Sequence, residues 1–108
     1  MKDMQRMMKE AQKMAAEVQK AQAELADVEV EGSAGGGAVK VSATADGRIL
    51  SVTLDPDLIS DSDPDDIEMI GDTIVAAVND ALDKGRAKQE EVMGPIAGGM
   101  GGLGLPGM

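Results

Sequence analysis

Phenylalanine, tryptophan, tyrosine, cysteine and histidine are all absent from this 108-residue chain. Each absence removes a class of chemistry or of construction. Without aromatic rings, which bury roughly 150–250 Å² apiece, the core must be built from aliphatic side chains. A chain this short also buries a limited share of its surface, so a second copy is expected to complete the core. Without cysteine there is no disulfide, no thiol nucleophile and no soft metal ligand, which fits a reducing compartment. Without histidine there is no side chain that shuttles protons near neutral pH. Long apolar runs are missing as well. No segment approaches the roughly 20 apolar residues that span a bilayer, and the opening residues are polar and amphipathic, unlike a signal peptide. The expectation is one domain in the cytoplasm, with no membrane, cofactor, metal or small-molecule substrate, and not an enzyme.

Positive charge is scarce but unevenly placed. The chain carries 10 basic and 20 acidic residues, a net of −10. Residues 1–20 hold five of the bases (Lys2, Arg6, Lys9, Lys13 and Lys20) against three acids, a local net of +2. The remainder has a net of −12. The sum argues against a nucleic-acid partner, and the distribution argues for one.

From Lys2 to about Ala26 there is no Gly or Pro, and good helix formers dominate. Met4, Met7, Ala11, Met14, Val18, Ala21 and Leu25 recur at alternating spacings of three and four, a heptad seam at positions a and d. Three period-two segments follow, each the pattern of a strand with one buried face. They centre on Val28 and Val30, on Val39, Val41 and Ala43, and on Leu50, Val52 and Leu54. The glycine-rich stretch 32–37 reads as a flexible connection, and Asp46-Gly47 as a two-residue hairpin turn. Asp55-Pro56 ends the third strand. A second long helix is predicted with Asp63 as N-cap and Pro64 at its first position. Its apolar face includes Ile67, Ile70, Ile74, Ala77, Val78, Ala81 and Leu82. Gly71 and Gly85 mark close packing or a bend within it. Gly94-Pro95 predicts a stop near Met93. The predicted fold is thus α+β, in the order α-β-β-β-α: one dimerising domain over 1–93 and a Gly/Met-rich disordered tail over 94–108.

The heptad turns the charges of the first helix into geometry. Lys2 and Lys9 fall at f, and Arg6, Lys13 and Lys20 at c, on the face away from the seam. Every g position is acidic: Asp3, Glu10, Glu17 and Glu24. Two readings stand. In one, the face is solvated, with i to i+4 pairs of Arg6–Glu10, Lys13–Glu17 and Lys20–Glu24 worth about 0.2–0.5 kcal/mol each. In the other, the stripe binds the phosphates of a polyanion without reading bases. The Debye length near physiological salt is about 8 Å, so acids on a distant body are screened from a projecting rod. Lys84, Arg86 and Lys88 form a second basic cluster late in the second helix, followed at once by Glu90 and Glu91.

Other constellations carry less. Asp61, Asp63, Asp65 and Asp72 have part of the spacing of a calcium loop, but Asp66 stands where glycine is needed; helix capping explains these acids better. The glycine run 35–37 lacks the Gly-Lys-Ser/Thr ending of a phosphate loop and precedes a strand. Asp55 and Asp57 flank a proline and read as a chain turn. Met4, Met7 and Met14 read as packing residues rather than an adaptable binding surface.

Several blocks, in order, resemble the YbaB/EbfC family of nucleoid-associated proteins. They are the Met/Gln/Lys-rich opening helix, the glycine-rich turn running into Ala38-Val39-Lys40-Val41, and Val52-Thr53-Leu54-Asp55-Pro56-Asp57-Leu58. Ala76-Ala77-Val78-Asn79-Asp80-Ala81 and the tail with Leu105-Pro106-Gly107 complete the likeness. The resemblance implies a tweezer-like homodimer that grips double-stranded DNA with low sequence specificity, organises the bacterial nucleoid and influences transcription. It assigns DNA contact to Lys2, Arg6, Lys9, Lys13 and Lys20, and further to Lys84, Arg86 and Lys88. The alternative is a coiled-coil adaptor that holds a protein partner and does not bind nucleic acid.

Overall fold

A computed structural model describes residues 2–60 and 64–101, with side chains through 59 and from 64 to 96. Helix α1 spans Lys2–Asp27, and strands β1 (Glu29–Ala34), β2 (Val39–Thr44) and β3 (Ile49–Leu54) follow. A short helix α2 (Pro56–Ser60) precedes the long α3 (Pro64–Gly101). The expected α-β-β-β-α order holds, with α2 added. The strands form one antiparallel sheet in the order β1-β2-β3. The molecule is elongated, 73 × 30 × 18 Å.

The core lies between α3 and one face of the sheet. Val39, Val41 and Ala43 of β2 and Ala77 and Ala81 of α3 are all fully buried. These are small side chains, and the helix closes the gap by sitting almost on the backbone of β1. Gly32 is the point of closest approach: a Cβ there would fall 2.5 Å from the Ala77 carbonyl oxygen and inside contact distance of the Ala81 nitrogen. For this reason Gly32 and Ser33 belong to β1 rather than to the connection, which is confined to the turn at 35–38. Gly85 plays a similar part. A Cβ there would meet the Ala45 carbonyl oxygen at 3.1 Å, whereas Gly71 faces open space.

The second connection is also longer than Asp46-Gly47 alone. It runs from Ala45 to Arg48, with Gly47 at φ 101°. Ala45 is drawn back into the body: its N–H donates to the Val28 carbonyl at 2.8 Å, and its own carbonyl accepts from Gln89 Nε2 at 2.7 Å.

Two further expectations need correction. β3 buries only the end of its apolar side. Leu54 packs partly buried against the core. Val52 pairs with Val41 and so shares the α3 side of the sheet, yet it is 44% exposed. α3 lies chiefly over β1 and β2, and Leu50 is exposed as well. The second helix does not stop near Met93 either. α3 passes through Pro95 to Gly101. A proline inside a helix removes one hydrogen bond and crowds the carbonyl four residues back. Packing outweighs that loss here, because Val92 and Ile96, on either side of the proline, line one groove with Ala21 of α1. Pro64 does stand first in α3. Asp63, expected as its cap, lies outside the described residues, as do Asp61 and the end of the tail, residues 102–108.

Candidate nucleic-acid interface

Helix α1 has two halves. Near its end, Ala21 and Leu25 are buried, at 4% and 3% exposure. Leu25 lines a groove with Gln89 and Met93 of α3, and Ala21 one with Val92 and Ile96. α1 runs toward the sheet and α3 away from it, so the two pair antiparallel. Residues 2–13, by contrast, are exposed on every side. The result is a projecting arm anchored by its last two turns.

Lys2, Arg6, Lys9, Lys13 and Lys20 are all exposed on this arm. The i to i+4 pairs expected under the solvated reading do not form. Among the described residues the salt bridges are Lys84–Asp80, Arg86–Asp83 and Lys88–Glu91, all on α3. The two basic clusters therefore differ. Among the described residues the five bases of the arm have no acidic partner, and each of the three bases of α3 has one. From Lys2 to Lys20 the free cations extend about 27 Å along the helix at about 1.5 Å per residue. That is roughly eight steps of a B-form strand at about 3.4 Å each.

Lys84 is further committed. Its ammonium donates to the Glu31 carbonyl oxygen at 2.9 Å and lies 3.3 Å from Asp80 Oδ2. Asp80 in turn accepts the Ser33 N–H at 3.0 Å. The two side chains stand one turn apart on α3 and take the outward-facing main-chain groups on either side of Gly32. The Ser33 N–H, and then the Lys84 ammonium, hold the Asp80 carboxyl below its ordinary value. Together they take two main-chain groups on the free edge of β1, a role that pattern reading missed. The Asp80/Lys84 spacing is visible in the sequence, but its target on β1 is not.

No group of His, Cys, Asp or Glu among the described residues is arranged to hold a metal ion. No helix among them is long and apolar enough to cross a membrane.

The fold and the charged arm define a class: a small α+β protein whose unpaired cations project on a helical rod. The chain belongs to the YbaB/EbfC DNA-binding family, whose model matches residues 1–100. It is 48% identical over 84 residues to a nucleoid-associated protein of Mycolicibacterium vanbaalenii, covering 78% of this chain and 74% of that one. It is 46% identical over 112 residues to a nucleoid-associated protein of Saccharopolyspora erythraea, covering 98% and 94%. The crystal structure of an uncharacterized Helicobacter pylori protein shares the fold, with a TM-score of 0.63 at 24% identity over 87% of this chain and 89% of that one.

Proposed function

We propose that this protein is a nucleoid-associated homodimer of the bacterial cytoplasm. It binds double-stranded DNA with low sequence specificity, organises the chromosome and thereby influences transcription. The observation that carries this reading is the contrast, among the described residues, between the five bases of α1 that have no acidic partner and the three ion-paired bases of α3. Cations without acidic partners are free to displace counterions from phosphates. Lys2, Arg6, Lys9, Lys13 and Lys20 are the contact residues. Arg86 and Lys88 can join them only by giving up their acids, and Lys84 holds the edge of the sheet.

Dimerisation is supported by the uncovered apolar surface. Leu50 and Val52 of β3, Ile59 of α2, and Ile67 and Val75 of α3 are exposed by 44–65%. Large apolar side chains left this exposed on so small a chain favour a protein interface.

A gel-shift salt titration on duplex DNA tests the reading. With about six phosphates engaged, affinity falls roughly a thousandfold between about 50 and about 200 mM salt. Lys9→Glu with Lys13→Glu abolishes most binding, and Arg86→Gln with Lys88→Gln changes it little. A flat salt response, or unchanged binding by the Lys9/Lys13 variant, would instead favour the protein-interaction adaptor.

A further inference from the structure

We infer that Gln5, Gln12 and Gln19 share the phosphate contact with the bases of α1, and that duplex DNA meets the arm from their side. The inference rests on the DNA-binding reading and adds to it which flank of the arm is bound.

The first helix repeats one short unit three times. Met4-Gln5-Arg6, Ala11-Gln12-Lys13 and Val18-Gln19-Lys20 stand seven residues apart, and each heptad closes on an acid, Glu10, Glu17 or Glu24. One apolar residue, one amide and one cation thus recur about every 10.5 Å along the rod. The three amides all fall at b, a position outside the apolar seam.

Seen down the axis, the heptad positions run a, e, b, f, c, g, d, about 50° apart. The bases at f and c are therefore neighbours, and their stripe has two flanks. Beside c lies g, which is acidic throughout, and beside f lies b, with the three glutamines. All of these side chains are exposed. The acids at g form no salt bridge among the described residues, where every ion pair is on α3. A phosphate displaced from the stripe toward g meets bare carboxylates, and one displaced toward b meets neutral amides. A duplex laid against a rod of about 10–12 Å diameter touches more than the narrow f and c stripe, and b is the flank without repulsion.

The amides are also uncommitted. Elsewhere glutamine serves the fold: Gln89 Nε2 donates to the Ala45 carbonyl at 2.7 Å, and Gln22, at e, lines a groove with Leu25 and Met93. The side chains of Gln5, Gln12 and Gln19 make no hydrogen bond among the described residues. Each amide offers two N–H donors, and an N–H bonds an anionic oxygen more strongly than a neutral one. Farther along the arm, f changes from lysine to Ala16 and Ala23. The small side chains leave the surface between Gln19 and Lys20 open.

Fluorescence anisotropy of a labelled duplex, titrated with the full-length protein at several salt concentrations, tests this. Replacing Gln5, Gln12 and Gln19 together by Ala is expected to weaken binding about tenfold at each concentration. The slope of log affinity against log salt stays that of the parent, because a neutral amide displaces no counterion. Alanine is the stronger helix former, so fraying of the arm does not explain the loss. Two lysine variants read the side of approach. Gln12→Lys is expected to tighten binding about fivefold and to steepen the slope by about one. Ala11→Lys adds the same charge at a, across the rod and more than one Debye length of about 8 Å away, and changes affinity less than about twofold. If the parent keeps its steep slope and the triple alanine variant binds as tightly, this inference fails and the DNA-binding reading stands. A shallower slope in that variant also overturns it, because the cations have then left their phosphates. Gln12→Lys binding no tighter than Ala11→Lys puts the duplex on another flank and overturns it too. A parent that binds no duplex overturns both readings.

Discussion

The ammonium of Lys84 reaches across to the carbonyl oxygen of Glu31, 53 positions earlier in the chain, and donates to it at 2.9 Å. With Asp80 receiving the Ser33 N–H, it occupies the middle of the outer edge of β1. Exposed strand edges are templates for unwanted pairing, and here a helix occupies part of one with two side chains.

That arrangement has a pH signature. Asp80 titrates below its ordinary value of 3.8, chiefly because it accepts the Ser33 N–H and then because Lys84 is beside it. A carboxyl depressed in the folded state stabilises the fold fully above its unfolded pKa. It loses that contribution as pH falls through the lower, folded value. Asp80→Asn is therefore expected to be less stable than the parent at neutral pH, with the gap narrowing below about pH 4. Urea melts at a series of pH values measure it; a gap that stays constant down to pH values well below that range refutes the assignment.

Gly32→Ala tests the close approach of α3 to β1. The added methyl meets backbone rather than flexible side chain, so neither partner yields easily. The expected loss is about 3 kcal/mol, the upper part of the usual range for overpacking, seen as a lowered denaturant midpoint. Gly71→Ala, which meets nothing within 4 Å, is the control and should stabilise slightly through helix propensity.

Glu10 and Glu17 lie on the same arm as the free bases, at g, and oppose a bound phosphate. Replacing both by Gln is expected to tighten duplex binding about threefold at fixed salt. That is the effect of removing two repulsions of a few tenths of a kcal/mol each across solvent. The gel shift that reads the Lys9/Lys13 variant reads this one too, and weaker binding would count against the placement of DNA on this face.

Val52→Glu places a charge on the uncovered side of β3. Val52 is not part of the buried core, so a single chain should keep its fold. The proposed dimer should not survive, and the particle mass in sedimentation is expected to fall to that of one chain, 11.1 kDa. A dimer that persists moves the interface elsewhere.

What the sequence disclosed followed from how local each signal is. The alternation of Val39, Val41 and Ala43 and the spacing from Met4 to Leu25 are short-range patterns, and they correctly placed β2 and α1. The positions of Lys2, Arg6, Lys9, Lys13 and Lys20 on one helix face were legible for the same reason. Gly32 was misread as loop because a glycine's meaning depended on Ala77 and Ala81, far along the chain. Pro95 was misread as a stop because the packing of Val92 and Ile96 beside Ala21 is tertiary. The exposure of Val52 was invisible to a pattern that reports which side a residue faces but not whether anything covers it. The commitment of Lys84 to Glu31 joins elements that no window spans.

The partnering of β1 also bears on how a further strand could meet the sheet. With the Ser33 N–H taken by Asp80 and the Glu31 carbonyl by Lys84, a strand arriving at that edge would find two of its main-chain positions already occupied. The same two side chains that join α3 to the sheet therefore stand against its extension from β1.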